Sequence, residues 1–139
     1  MSADKSTQES NKDVVGRYIA ALNRGDVETL RQLFTPDALV YGVFGWGELD
    51  EVVPIWQQLH EGLAMELTAE QMVAEGDTVA VRYTERGTFR EEFLGNKPTG
   101  ESYELVAMEW FVLRDGKIHR RWGARDSASQ ARQIGLPLG

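Results

Sequence analysis

The hydrophobic pattern of the chain changes once, near Met65, and this change constrains the fold more than any other feature. Before it, apolar residues recur at helical spacing, as in the stripe from Val14 to Leu22. After it, long runs rich in Val, Tyr, Thr and Phe alternate with glycine-containing turns, which is typical of strands. Helices followed by an antiparallel meander predict an α+β domain, with the helices covering one face of a curved antiparallel sheet.

The ends of the predicted elements follow from capping and breaking residues. Ser10 or Asn11 caps the first helix, and Gly25 ends it. Asp26 caps a short second helix, which Pro36 stops. The other predicted elements are a strand at 38–43, a helix at 49–63, strands at 65–74, 78–89, 102–113 and 117–126, and a last helix at 127–134.

Length and composition indicate one domain, because the chain has 139 residues, of which 42% are apolar and 27% charged. The first residues are small and polar, so we predict a disordered tail over residues 1–9 and a single domain over residues 10–139. That segment offers no apolar stretch for a signal peptide, and the longest apolar run is too short to span a bilayer. We therefore expect a cytoplasmic protein without a membrane partner.

Charge and residue usage exclude several classes of function. The formal net charge of −7 repels phosphate backbones, so nucleic acid is not expected as a partner. The chain has no cysteine and only two histidines, His60 and His119. We therefore expect no disulfide, no thiolate chemistry and no histidine-rich metal centre. The chain also lacks room for a separate cofactor-binding domain.

The Asp115-Gly116 pair predicts a two-residue hairpin turn, which sets the register of the last two strands. Uninterrupted pairing places alternate residues of both strands on one face of the sheet. These residues are Leu105, Ala107, Glu109, Phe111, Leu113, Ile118, Arg120, Trp122, Ala124 and Asp126. The face is mostly apolar with a few polar groups, which is typical of a small-molecule pocket.

Two carboxylates on this face are candidates for acid/base work, because an apolar wall disfavours the charged form of an acid. Asp126 is one candidate, but the sequence Asp-Ser-Ala-Ser supports a helix N-cap at that position equally well. Glu109 is the other, and a structural salt bridge with its diagonal neighbour Arg120 explains it as well as substrate binding does.

Five aromatic residues are candidates for the pocket wall, where they would stack on a flat ligand. Core packing is the alternative for each, above all for the residue on the third helix, which lies at helical spacing. The five are Tyr18, Trp46, Trp56, Phe111 and Trp122.

Three segments resemble the SnoaL-like polyketide cyclase family of the NTF2-like superfamily. Phe93–Gly100 is similar to the family's F-x-G-x-x-P-T-G loop. Arg114–Ile118, followed by Trp122, Asp126 and Arg132–Gly135, is similar to its R-D-G-K-I…W-x-x-x-D…Q-L-G ending. Residues 18–26 are similar to the opening helix of the family. The resemblance thus extends over nearly the whole chain.

The resemblance implies an NTF2-like cone that encloses an apolar pocket, and a homodimer formed through the sheet. It further implies an aromatic, polyketide-like substrate from antibiotic biosynthesis, closed by an intramolecular aldol condensation with Asp126 as acid/base. That chemistry needs no metal or redox cofactor, so no cofactor is predicted. Many relatives have His where this chain has Arg121, and Arg cannot shuttle protons. Isomerase, dehydratase, epoxide hydrolase and hydroxylase-component activities stay open on this scaffold, as does a non-catalytic binding or dimerisation module.

Overall fold

The computed structural model describes residues 2–42 and 44–136. In chain order the elements are α1 (Ser2–Arg24), α2 (Val27–Gln32), β1 (Phe34–Gly42), β2 (Gly45–Glu48), α3 (Leu49–Leu63), β3 (Glu66–Glu75), β4 (Thr78–Thr88), β5 (Ser102–Arg114), β6 (Lys117–Arg125) and α4 (Ser127–Ile134). The α+β class is confirmed, and so are the predicted bounds of α3 and α4.

The first helix is longer than predicted. It begins at Ser2, so the predicted cap at Ser10 or Asn11 is wrong, and residues 2–9 are helical rather than an irregular tail. No glycine or proline interrupts this stretch, and several of its residues are good helix formers. Side chains 5–7 are exposed and lie outside the core. The division into a tail at 1–9 and one domain at 10–139 stays a prediction.

The second helix has the predicted cap, since the Asp26 carboxylate accepts a hydrogen bond from the Thr29 backbone N–H at 3.1 Å. The strand after it begins at Phe34, four residues earlier than expected, so Pro36 lies inside β1 instead of only ending α2. This is possible because the pairing of β1 with β6 is interrupted between Phe34 and Leu39. Proline has no backbone N–H to donate, but in this gap the ladder does not require one.

The six strands form one curved, open sheet in the order β2-β1-β6-β5-β4-β3. β3 to β6 make the predicted antiparallel meander. β1, however, pairs with β6 in parallel, so the sheet is mixed and the expectation of a wholly antiparallel sheet is wrong at this pair. The first and last strands of the chain are therefore neighbours in the middle of the sheet.

A bulge at His119 changes the register of the last hairpin. The turn is as predicted, with Arg114 opposite Lys117 and Leu113 opposite Ile118. Val112, however, lies opposite Arg120, so His119 is an extra residue in β6. Because side chains alternate between faces, every residue of β6 beyond the bulge points to the side opposite to the prediction.

The His119 ring is held at the bulge by the irregular part of β1. The Thr35 hydroxyl lies 3.0 Å from Nδ1, and the Asp37 carboxylate lies 3.6 Å from the same atom. Burial, together with the charges of Arg120 and Arg114, lowers the pKa of His119. The ring is therefore neutral at neutral pH and can accept the proton of the Thr35 hydroxyl.

The helices α1 and α3 cover the inner face of the sheet. Tyr18 and Trp56 pack edge to face with ring centroids 6.0 Å apart, and both pack against Phe34 at the start of β1. No helix in the described part of the chain is long and apolar enough to cross a membrane.

Candidate active site

The cavity between the inner face of the sheet and the helices has a volume of about 760 Å³. This is within the range of pockets that bind drug-sized molecules. Its wall is mainly apolar, with contributions from Val40, Trp56, Leu59, Met65 and Leu67. Ionisable groups enter it from α1 and the central strands, and form two separate clusters.

The first cluster is centred on Glu109 of β5. Its carboxylate accepts hydrogen bonds from the hydroxyls of Tyr83 at 2.7 Å and Tyr18 at 3.0 Å. Arg121 Nε lies 3.1 Å from Glu109 Oε2, although the angle is too poor for a hydrogen bond. The side chains of Glu109 and Arg121 are only 10% and 8% exposed. The cavity therefore contains a largely buried ion pair with two phenol donors.

Burial and charge set the protonation states of this cluster. Desolvation first, and the negative charge of Glu109 second, raise the pKa values of Tyr18 and Tyr83 well above their ordinary value. Burial has the largest single effect on Arg121 and lowers its pKa, but the charge of Glu109 together with the Tyr18 and Tyr83 phenols raises it by more, so the net pKa is raised. Both phenols are therefore neutral hydrogen-bond donors, and Arg121 stays a cation.

The second cluster is centred on Glu85 of β4, whose side chain is only 1% exposed. Arg125 binds it with two donors, Nε to Oε1 at 2.8 Å and Nη2 to Oε2. The Tyr103 hydroxyl donates to Oε2 at 2.6 Å. Burial, and then the charge of Glu85, raise the pKa of Tyr103, so this phenol is also neutral. The fork geometry is the strong form of a carboxylate–guanidinium pair.

Gly123 separates the two arginines along the inner face of β6. A Cβ atom at this position would overlap Nη1 of Arg121, so only glycine lets that guanidinium lie across the strand. Arg121 also donates through Nη1 to the carbonyl of Tyr41 at 3.1 Å. Glycine thus fixes the place of the cation that faces Glu109.

Four of the predicted site residues lie at the pocket, namely Tyr18, Trp46, Trp56 and Glu109. Tyr18 and Trp56 belong both to the core and to the pocket wall. Trp46 reaches the pocket only at its rim, because it pairs with Tyr41, which pairs with Trp122, so that its ring packs on the outer face of the sheet and is 49% exposed. The predicted partner of Glu109 is wrong, because Arg121 takes the place expected for Arg120.

Phe111, Arg120 and Trp122 do not line the pocket. Phe111 is fully buried behind it, with its ring 5.2 Å from that of Tyr18. Arg120 donates to the carbonyls of Asp37 and His119. Trp122 is 37% exposed on the outer face, opposite Trp110. The bulge at His119 explains the positions of Arg120 and Trp122, because residues of β6 after the bulge point to the face opposite to the predicted one.

Asp126 also lies outside the predicted wall. Its carboxylate accepts the backbone N–H of Ser129 at 3.0 Å and caps α4, and the residue is exposed. The N-cap alternative is therefore confirmed, and the placement of Asp126 opposite Leu105 on the pocket face is wrong. Its part in catalysis stays a prediction from the resemblance.

The polar pocket residues that the sequence did not predict include Tyr83, Glu85, Arg121 and Arg125. The first two carry a signal, because the alternation Val79, Val81, Tyr83, Glu85 places them on the buried face of β4. The two arginines carry no such signal in the sequence, because the face on which they lie depends on a bulge that the hairpin rule does not predict.

The SnoaL-like polyketide cyclase family model matches residues 12–134 of this chain. No curated protein matches it. Wild-type IdmH from Streptomyces antibioticus, a candidate polyketide cyclase, is 30% identical, with 91% of this chain and 99% of that chain covered and a TM-score of 0.79. AclR from Streptomyces galilaeus, a candidate hydroxylase, is 25% identical, with 94% and 99% covered and a TM-score of 0.84. A SnoaL-like structure from Jannaschia sp. CCS1 is 22% identical, with 94% and 95% covered and a TM-score of 0.84, and supports the fold alone.

Proposed function

We propose, from the premise that this chain belongs to the SnoaL-like polyketide cyclase family, that it is a cofactor-free acid/base enzyme acting in its pocket. The reaction is proton transfer at an activated carbon of an aromatic, polyketide-like substrate, as in the aldol ring closures of antibiotic biosynthesis. The observation that carries the proposal is the Glu109 carboxylate, set in the apolar cavity with two tyrosine hydroxyls and an arginine.

Glu109 is the carboxylate that we assign to the reaction, in place of Asp126. It lines the cavity, whereas Asp126 is exposed and binds the backbone of α4. A general base must come within hydrogen-bond reach of the proton that it removes, so position in the cavity favours Glu109.

In the proposed step, Glu109 removes a proton from a carbon flanked by carbonyl groups. The resulting enolate carbon attacks a second carbonyl of the same molecule, and a carbon–carbon bond forms. The new alkoxide then takes the proton back from the Glu109 carboxylic acid, so the enzyme ends as it began. The cavity contributes by holding both carbon centres close together and by excluding water.

The neighbours of Glu109 orient it and stabilise charge. The Tyr18 and Tyr83 hydroxyls fix the two carboxylate oxygens, and they can turn toward an enolate oxygen when Glu109 is protonated. Arg121 cannot take up a proton, but its fixed positive charge stabilises the anion that forms. A fixed positive charge thus stands where many relatives have a His that could shuttle protons.

A homodimer stays part of the proposal, and the outer face of the sheet supports it. Val106, Met108 and Trp110 are each more than half exposed there, and Trp122 lies beside them. Contiguous exposed apolar side chains on one face are typical of protein–protein contacts. The cytoplasmic location stays a prediction.

A hydroxylase component is the second candidate, and the similarity to AclR favours it. In that case the same cavity would hold the aromatic substrate, and Glu109 would deprotonate a phenol or an activated carbon of that substrate.

The test is deuterium uptake at the activated carbon of a tricyclic aromatic keto-ester, compared between wild type, Glu109→Gln and Asp126→Asn. We expect wild type to catalyse exchange. We expect the exchange rate to fall about 10²- to 10⁴-fold in Glu109→Gln alone, as for the loss of a general base. Loss in Asp126→Asn alone would return the role to Asp126. If compounds bind and wild type exchanges none of them, carbon-acid chemistry is excluded and the hydroxylase or binding-module alternative takes its place.

A further inference from the structure

The indole ring of Trp56 on α3 contacts one of the charged groups of the candidate site. The guanidinium carbon of Arg121 lies over this ring, 5.8 Å from its centroid. The same ring packs edge to face against Tyr18 and at a tilt against Phe34, with centroids 6.0 and 5.8 Å away. Trp56 borders the cavity but is only 5% exposed. Little of its surface is therefore left for a ligand, and its contact with the charged cluster is through Arg121.

The contact between Trp56 and Arg121 is close enough to be attractive. A cation within about 6 Å of a ring centroid is drawn to the negative face of the ring, and tryptophan gives the strongest such attraction. The attraction is larger where water is excluded, and both residues are buried here. The indole is thus part of the electrostatic surroundings of the guanidinium as well as a packing element.

The other contacts of Arg121 differ in how firmly they hold it. Nη1 donates a hydrogen bond to the carbonyl of Tyr41 at 3.1 Å. Nε faces Glu109 at a poor angle, so this pair depends on charge more than on hydrogen-bond geometry. The Tyr18 phenol lies near enough to help raise the pKa of Arg121. The end of the side chain that faces Glu109 therefore depends on Coulomb attraction and on the Trp56 ring.

In the proposed reaction, the negative charge that faces Arg121 changes its place. Glu109 becomes neutral when it takes the proton, and the charge passes to the enolate oxygen of the substrate. Arg121 then loses the partner that attracts it, yet it must stay where it can stabilise the new anion. The face of the Trp56 ring keeps its partial negative charge throughout, because an indole does not titrate in this step.

We propose that Trp56 is a positioning residue, which holds the Arg121 cation in place while the negative charge passes from Glu109 to the substrate. The proposal rests on the proton-transfer function proposed above and adds a residue to it. Trp56 acts through Arg121 and needs no contact with the reacting atoms. A cation that is already in place needs little reorganisation when the enolate forms, so the effect of Trp56 is on the rate of the step.

The test introduces a difluorinated tryptophan in place of Trp56 alone. Fluorine withdraws negative charge from the ring face and changes the ring size little, so the packing is kept and the attraction for a cation is weakened. For deuterium uptake at the activated carbon of the keto-ester, we expect kcat to fall about threefold and KM to stay the same. A purely structural role of the ring predicts no change in kcat.

A measurement of stability shows whether the effect passes through Arg121. The fluorinated residue should lower the urea midpoint of the chain that has Arg121, and should leave that of Arg121→Met unchanged, because methionine carries no charge. The matched control is a difluorinated phenylalanine in place of Phe89, a fully buried core residue. This control introduces fluorine into the core away from the charged cluster, and kcat should stay as in wild type.

The outcomes separate the two proposals. An unchanged kcat in the fluorinated Trp56 variant, or an equal fall of the urea midpoint with and without Arg121, overturns the positioning role and leaves the proton-transfer function standing. If wild type binds the keto-esters and exchanges none of them, the proton-transfer function is overturned, and the positioning role with it.

Discussion

The two carboxylate–arginine pairs of the pocket have the same residue types but differ in how completely they are closed. Glu85 accepts both arms of the Arg125 fork and a tyrosine hydroxyl, and its side chain is 1% exposed. Glu109 meets Arg121 through one nitrogen at a poor angle, and its other contacts are hydroxyls that can rotate. A saturated pair holds a fold together, whereas an open pair can exchange a partner for a substrate.

Replacing each carboxylate by the corresponding amide tests the difference between the two pairs most strongly. In Glu85→Gln, an amide N–H must face the Arg125 fork, and a buried cation loses its counter-charge. We expect a loss of about 3–5 kcal/mol in the free energy of unfolding. In Glu109→Gln, Arg121 also loses its counter-charge, but the Tyr83 hydroxyl can turn to accept the new N–H and the guanidinium keeps its bond to the Tyr41 carbonyl. The expected loss is therefore smaller, about 2 kcal/mol.

Urea denaturation of both variants measures the difference. The two carboxylates would have equivalent structural roles if the two losses were the same within about 0.5 kcal/mol, and the contrast drawn here would then be wrong.

A methyl group at Gly123 tests whether the position of Arg121 matters. Gly123→Ala places a Cβ atom in the space of Nη1, and we expect overpacking to cost about 1–3 kcal/mol and to lower the exchange rate at the activated carbon. Gly42→Ala is the matched control. Its Cβ would lie 4.0 Å from the same nitrogen, an ordinary contact, so stability should change little and exchange should persist. Thermal unfolding and deuterium uptake give the two readouts, and equal behaviour of the variants contradicts the prediction.

Removal of one hydroxyl from each cluster has the smallest expected effect. Tyr103→Phe and Tyr83→Phe each delete one hydrogen bond to a buried carboxylate, and we expect each to cost about 1 kcal/mol of stability. Only Tyr83→Phe should also slow exchange, about fivefold to tenfold, because it orients the carboxylate that moves the proton. A slower rate in Tyr103→Phe alone would exchange the roles assigned to the two clusters.

Most of the fold could be predicted because its signals are local. The glycine turn at Asp115-Gly116, the cap at Asp26 and the periodicity of α3 depend on residues within a few positions of each other. The parallel pairing of β1 with β6 could not be predicted in this way, since it joins segments from the two ends of the domain.

The site was predicted less well, for a reason that one residue explains. The hairpin rule assumes an uninterrupted ladder, but His119 is inserted into β6 and held there by Thr35, 84 positions earlier in the chain. This long-range contact moves Arg121 and Arg125 into the pocket, and turns Trp122 and Asp126 away from it. Glu109 kept its predicted face because β5 contains no such insertion.

The parallel contact between β1 and β6 has a consequence for the order of folding. During synthesis from the amino terminus, β1 leaves the ribosome long before its central neighbour exists, because Thr35 and His119 are 84 residues apart. The helices α1 and α3 thus have no complete surface to cover until the last strand is made. High sequence separation of paired strands slows folding. Nascent chains that stop before β6 therefore expose the apolar interior, and emergence of β6 is the event that allows the pocket to close.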